Sequence, residues 1–352
     1  MILVVNPGSS TLKYKLFTPE FEEAKSGSFE IGSKIRNHLQ ATRLMLAEIS
    51  DARNEITKVA SRVVHGGDEV DEIMPITLPV MKIIEKYTPL APHHNPPAEK
   101  VIRFLIEHIP LSQHFAAFDT AFFKNLPHIA KIYPIDKNAA EELGIRRFGF
   151  HGISHKFVMN EVDPEHKKKV ITVHLGAGCS LAAIDKGVPI DTSMGFTPTE
   201  GVTMQTRAGD LDPEIVLLLS EKYGLKTARD IIENHSGLAG LTGTSGAMLT
   251  LLALAEEQVE DRNFHISLDK TAKNATKEEA KRAIEIFCYR VKKYLGAYTA
   301  ALGGVDIVAF TGEIGAGSVV IRSKILSGLK YTNFKTEVVT PNEELAIAQK
   351  FV

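Results

Sequence analysis

A strand, a glycine-bearing turn and a second strand occur twice in this chain, and that repetition constrains the fold more than any other feature. The first occurrence runs from Met1 to Phe17. Apolar Ile2 to Val5 lead into the breaker Pro7-Gly8-Ser9-Ser10-Thr11, and Leu12, Tyr14 and Leu16 then alternate with polar residues, the pattern of a β-hairpin. The second occupies Lys169 to Ile184, with VITVHL, the turn Gly176-Ala177-Gly178-Cys179-Ser180, and LAAI leading into Asp185-Lys186-Gly187. Two such hairpins in two halves suggest an internal duplication. A length of 352 residues leaves room for two domains, and an apolar content of 44% can fill two cores.

Helical signals fall between and after the hairpins. Asn95 precedes Pro96 and Pro97 and is expected to cap a helix whose apolar stripe includes Val101, Phe104, Leu105 and Ile109. Asp212-Pro213 opens another helix that ends near Gly224. Thr276 with Glu279 forms a capping box for a long helix closed by Gly303-Gly304. A short strand, Val305 to Phe310, then runs into an expected loop, Thr311-Gly312-Glu313-Ile314-Gly315-Ala316-Gly317. Strands alternating with helices predict an α/β protein with helix-covered sheets, and two such halves are expected to leave a cleft for a phosphate ligand.

Charge and cysteine content remove several functions. Lys+Arg of 41 against Asp+Glu of 43 leaves a formal charge of -2, so no basic field points to nucleic acid or an anionic membrane. The cysteines, Cys179 and Cys288, have no His or Cys at ligand spacing, which argues against a disulfide framework or a zinc site and fits a reducing cytoplasm. The N-terminal apolar run is far too short for a signal or membrane span.

The residues that remain for chemistry are dense in short segments that end apolar runs. They are Arg62-Val63-Val64-His65-Gly66-Gly67, His93-His94-Asn95, Phe118-Asp119-Thr120-Ala121, Phe150-His151-Gly152 and Thr206-Arg207-Ala208-Gly209-Asp210. Glycine-serine turns let backbone N–H groups approach a phosphate, and Ser9, Ser10 and Thr11 add hydroxyls. The bland reading of each turn is a tight hairpin, and of each polar residue a cap, an ion pair or a satisfied core group. Together they suit phosphoryl transfer, in which the protein neutralises a migrating anion while holding acceptor and leaving oxygens in line. A carboxylate acceptor also needs a cation, which arginine supplies as a two-pronged fork.

In order along the chain, VVNPGSSTLKYKLF, SRVVHGGDEV, LAPHHNPP, FDTAFF, GIRRFGFHGISHKFV, VHLGAGCSLAAIDKG, DTSMGFTPTEGVTMQTRAGDLDP and TPNEELAIA resemble the acetate, propionate and butyrate kinase family. The resemblance implies two duplicated ribonuclease H-like domains, of the actin, sugar-kinase and chaperone-ATPase type, around a central cleft. Residues 1–147 with a returning segment, 343–352, would form an acyl-kinase domain, and 148–342 a nucleotide-binding domain. It implies reversible transfer of the ATP γ-phosphoryl to acetate or another short-chain carboxylate, giving acetyl phosphate and ADP. Mg²⁺, or Mn²⁺ in its place, would assist, and the protein would be a cytoplasmic homodimer.

Carried over by motif, the catalytic set would be Asp119, Arg62, Arg207 and His151, with Asp119 orienting the others. Val64, His93, His94, Phe150 and Pro198 would bind the acyl substrate, and Val64 there favours acetate over propionate. Ser9, Thr11, Lys13, His174, Gly176, Gly178, Gly312 and Gly315 would hold the nucleotide, while Asn6 and Glu343 would serve the metal. The chain departs from the family mainly on the nucleotide side. Ala177 replaces an asparagine, Ser245-Gly246-Ala247-Met248-Leu249 lacks the acid and arginine of an adenosine-binding segment, and the 313–317 loop has changed. His93 replaces a leucine of the acyl pocket and would admit a more polar acid. An altered donor such as pyrophosphate, an acyl phosphatase, and a non-catalytic sensor are the rival readings. The full charge set of Asp119, Arg62, His151 and Arg207 argues against the last.

Overall fold

The computed structural model describes residues 1–32, 34–257, 270–329 and 333–351. The chain forms two compact units, one of Met1–Asn125, Phe148–Phe157 and Asn342–Val352, the other of Leu126–Arg147 and Val158–Pro341.

The first unit is built on a six-stranded sheet in the order β3-β2-β1-β4-β6-β5. Its strands are β1 (Ile2–Pro7), β2 (Thr11–Phe17), β3 (Glu23–Glu30), β4 (Lys58–Val63), β5 (Ile73–Pro75) and β6 (Gln113–Phe118). The expected N-terminal hairpin is present, with Ile2 opposite Phe17 and Pro7 opposite Leu12. β1, β4 and β6 run parallel. Burial on both faces explains why β1 reads as an unbroken apolar run. Leu3 and Val5 pack with Leu12, Tyr14, Val101 and Leu105 on one face. Ile2 and Val4 pack on the other with Ala60, Ala117, Ile347 and Ala348, so a helix from late in the chain, Glu343–Ala348, covers the first strand.

The second unit repeats the plan with a five-stranded sheet, β11-β10-β7-β8-β9. The strands are β7 (Lys169–Leu175), β8 (Cys179–Asp185), β9 (Val188–Thr192), β10 (Ile307–Thr311) and β11 (Lys335–Val338). β7, β8 and β9 form an antiparallel meander, as β1, β2 and β3 do. β10 and β11 add in parallel beside β7, as β4 and β6 do beside β1. The duplication suggested by the hairpins therefore extends to five strands of each sheet, with β5 an antiparallel addition to the first.

The capping box of Thr276 and Glu279 starts the helix Lys277–Leu302, which ends at Gly303 in the left-handed conformation. Asp212 caps Pro213–Tyr223 by accepting the Glu214 N–H. Two local expectations are corrected. Asn95 is the first residue of its helix, Asn95–His108, and not the cap. Its fully buried amide accepts from the His65 N–H and donates to the carbonyls of His65 and Ile84, so tertiary partners claim it. The segment after β10 is a short helix, Gly312–Gly317, and not a loop. Extended Thr311 precedes it, and the Arg322 guanidinium satisfies the carbonyls of Gly315 and Ala316 at its far end. Among the described residues no helix is long and apolar enough to cross a membrane.

Candidate active site

Parallel strands that end side by side expose their carboxyl ends to ligands, and in the first unit those ends carry the charged residues. Asn6 lies near the end of β1, Arg62 near the end of β4, and Asp119 directly follows β6. Arg62 donates from Nε and Nη2 to the same oxygen, Asp119 Oδ2, at 3.1 and 2.7 Å. Its Nη1 donates to Asn6 Oδ1 at 3.1 Å, and Asn6 Nδ2 donates to Glu344 Oε1 at 2.8 Å. The two partners fix which way the Asn6 amide points.

Burial raises the Asp119 carboxyl above the ordinary aspartate range, with Arg62 pulling the other way. For Arg62, burial opposes the charge, but Asp119, Glu343 and Glu344 outweigh it and hold the guanidinium above its usual value. The arginine is therefore firmly protonated beside the buried carboxyl. Asp119 Oδ1 has no hydrogen-bond partner, an uncommon state for a fully buried carboxylate oxygen.

Three contacts bring the neighbouring motifs onto this pair. The Gly66 N–H donates to Thr120 Oγ1 at 3.2 Å. His65 packs edge-on against Phe148 and Phe150 with centroids at 4.7 and 5.1 Å, which joins the Val64 segment to the His151 segment. Gly152 opens the helix Gly152–Val162 so close to Asp119 that a Cβ there would lie 2.0 Å from the Asp119 carbonyl oxygen. His151 itself sits at φ 55, a left-handed conformation that costs a non-glycine residue about 1–3 kcal/mol and concentrates at functional sites. Val64 and Phe150 are buried. His94 is half-buried, and His93 is exposed, which gives no support to a His93-lined pocket for a polar acid.

The remaining predicted residues are divided between the units. Ser9, Thr11 and Lys13 belong to the first hairpin, where Lys13 stands opposite Asn6. In the second unit the Gly176 N–H donates to the Gly178 carbonyl at 3.1 Å, closing the β7–β8 turn, and His174 lies next to Thr311 across β7 and β10. Gly312 and Gly315 lie in the helix that follows β10. The Gln205 N–H donates to the Ala177 carbonyl and its side-chain amide to the Ser245 carbonyl, so the changed segments border the loop that carries Arg207. Arg207 Nη1 donates to the Pro198 carbonyl at 2.5 Å, and burial draws its pKa below the ordinary arginine value. Burial also pushes the thiols of Cys179 and Cys288 up to about 12, leaving them inert.

Sequence reasoning missed Glu344, which is 5% exposed and grips Asn6. The Asn-Glu-Glu-Leu segment was visible, but which glutamate turns inward depends on helix phase. It also missed Glu200, Arg147 and Tyr133, although the first two lie inside motifs quoted above. Tyr133 gave no signal.

Oxygen donors suit Mg²⁺, and Asn6, Glu343 and Glu344 supply them beside Arg62. No group of three or more His, Cys, Asp or Glu able to hold a metal occurs among the described residues. That sparse set fits an ion that keeps waters and arrives on substrate phosphates.

Paired meander-plus-parallel sheets with charged groups at the strand ends define a phosphotransferase of the actin, sugar-kinase and chaperone-ATPase fold. The Acetokinase family model matches residues 29–348. The chain belongs to the acetokinase family. Acetate kinase of Staphylococcus aureus (strain JH9) is 38% identical over 364 residues, covering 94% of this chain and 86% of that protein. Acetate kinase of Porphyromonas gingivalis superposes with a TM-score of 0.84 at 30% identity, covering 99% of this chain and 98% of the other. A propionate kinase of Francisella tularensis subsp. tularensis SCHU S4 gives 0.84 and 30%, again with 99% and 98% coverage.

Proposed function

We propose that this protein transfers the γ-phosphoryl of ATP to acetate, reversibly, giving acetyl phosphate and ADP. The observation that carries the reading is the Asn6–Arg62–Asp119 array at three parallel strand ends in a chain of this family. An acetate oxygen attacks the phosphorus in line and the bond to the ADP oxygen breaks, so no enzyme nucleophile is needed. Acetate is already ionised, which leaves Asp119 no proton to remove, and its task is to hold Arg62. Arg62 and Arg207 receive the carboxylate and the transferring phosphoryl, and His151, with His94, adds donors to that charge. Val64, Phe150 and Pro198 wall the methyl group. Ser9, Thr11, Lys13, His174 and the glycines of the second unit hold nucleotide. Asn6 and Glu343 would hold Mg²⁺ through water, and the ion would neutralise phosphate charge when bound.

A homodimer and a cytoplasmic location complete the proposal. The helix Pro213–Tyr223 exposes Leu217 and Leu218 at 56% and 61%, and Leu225 beyond it is 68% exposed, an apolar face that a second copy would cover. Replacing Leu218 by Asp should yield monomers in sedimentation.

The decisive assay scores acetyl hydroxamate formed from acetate, Mg²⁺ and hydroxylamine with ATP, GTP or pyrophosphate, using Asp119→Ala and Arg207→Ala as controls. Product with ATP that vanishes in both variants supports the proposal. Product with pyrophosphate alone overturns the donor, and no product with any donor overturns the activity.

A further inference from the structure

The loop that carries Pro198 and Arg207 is gripped at three points by side chains that the mechanism above does not use. Arg147 donates from Nη2 to Glu200 Oε1 at 2.6 Å and from Nη1 to the Thr192 carbonyl at 3.0 Å. Tyr133 donates its hydroxyl to Glu200 Oε2 and accepts the Phe196 N–H at 3.0 Å, while the guanidinium lies 5.3 Å over its ring. Further along, the Gly201 N–H donates to Asp210 Oδ1 at 2.9 Å, and the Tyr294 hydroxyl donates to Asp210 Oδ2 at 2.7 Å. Between these anchors the Arg207 guanidinium donates to the Pro198 carbonyl. Gly195 completes the grip, because a Cβ there would fall 1.7 Å from Glu200 Oε2 and 1.9 Å from the Tyr133 hydroxyl.

We propose that Glu200, clamped between Arg147 and Tyr133, is a positioning residue that sets where Pro198 and Arg207 stand and so governs acceptor binding and acyl-chain selection. A pillar that merely stabilised the unit would not need both carboxylate oxygens, an arginine and a tyrosine converging on the one loop that holds an acyl-wall residue and a substrate cation. Glu200 touches no substrate in this scheme. It acts through the backbone from 196 to 201, which ends six residues after Gly195 and six before Arg207. The inference rests on the acyl-kinase reading.

The test uses the full-length protein and three variants, Glu200→Gln, Gly195→Ala and Tyr133→Phe. Glu200→Gln keeps the shape but loses the charge, and Gly195→Ala displaces the carboxylate while keeping the glutamate itself. Both should raise the acetate KM by about tenfold, as expected when a binding group shifts by a fraction of an ångström. The ATP KM should change much less than the acetate KM, and the propionate to acetate ratio should change. Tyr133→Phe, which keeps the ion pair, should give the smaller change. Hydrogen exchange supplies a readout independent of turnover: amides of residues 196–207 should lose protection while those of the helix Lys277–Leu302 keep theirs. If wild-type protein makes no acetyl hydroxamate, the functional reading fails, and the exchange pattern alone then upholds or refutes the clamp. Unchanged exchange with an unchanged acetate KM would overturn it, as would a parallel rise in both KM values with protection lost throughout the unit.

Discussion

Arg62 and Arg207 are two partly buried arginines that the fold treats in opposite ways. Arg62 is answered by a carboxylate, Asp119, and is held above its usual pKa. Arg207 is tied to a neutral carbonyl, that of Pro198, and burial draws its pKa down. The first pair is nearly neutral before substrate arrives and fixes a geometry. The second rests on a neutral acceptor while burial disfavours its charge, a cost that an incoming anion relieves. A site can thus separate the group that shapes it from the group that attracts its ligand.

The largest effect should come from removing the Arg207 charge. Arg207→Ala is expected to lower kcat/KM for acetate by about a thousandfold, near 4 kcal/mol, the scale of a lost preorganised charge contact. Steady-state kinetics in both directions would check it, and a loss under tenfold would break the comparison. Next in size is a contrast in stability. Arg62→Met leaves Asp119 buried without its cation and should cost about 3–5 kcal/mol, whereas Arg207→Met should leave stability unchanged to within about 1 kcal/mol. Urea titration of both variants decides the matter, and equal losses would erase the distinction.

A smaller effect concerns pH. Burial raises the folded-state pKa of Asp119 above the ordinary aspartate value. On acidification Asp119 therefore takes up its proton earlier than an exposed aspartate, and activity should fall as pH drops through that raised value. The stability term has the opposite sign. It is fully present below the unfolded pKa, where Asp119 is protonated in both states, and is lost as pH rises through the folded one. The acid limb of kcat/KM should disappear in Asp119→Asn, measured on whatever activity remains. The smallest change expected is in substrate range: Val64→Ala should favour propionate by about tenfold relative to acetate, the worth of one methylene in an apolar pocket.

Much of this was legible in the sequence because it is written in local signals. Both hairpins, the capping box at Thr276 and the helix opened by Asp212 follow from turn and cap chemistry within a few residues. The resemblance carried Arg62 and Asp119 as well, since each lies in a compact motif. What stayed hidden depends on distant partners. Asn95 looks like a cap until His65 and Ile84 claim its amide. Glu344 is indistinguishable from Glu343 until helix phase turns one of them toward Asn6. Tyr133 sits outside any motif, and only the fold carries its hydroxyl to Glu200.

The return of the helix Glu343–Ala348 to cover β1 also has a meaning for biosynthesis. Asn6 leaves the ribosome well before Glu344, which grips it, and before Ile347 and Ala348, which bury Ile2 and Val4, since these follow more than three hundred residues later. At a translation rate of roughly 5–20 residues per second, the nascent first sheet waits tens of seconds for the helix that completes the cover of this face. The Asn6–Arg62 array gains its last anchor only when nearly all of this sequence has been made, so a prematurely terminated chain would carry the charges of the site without their alignment.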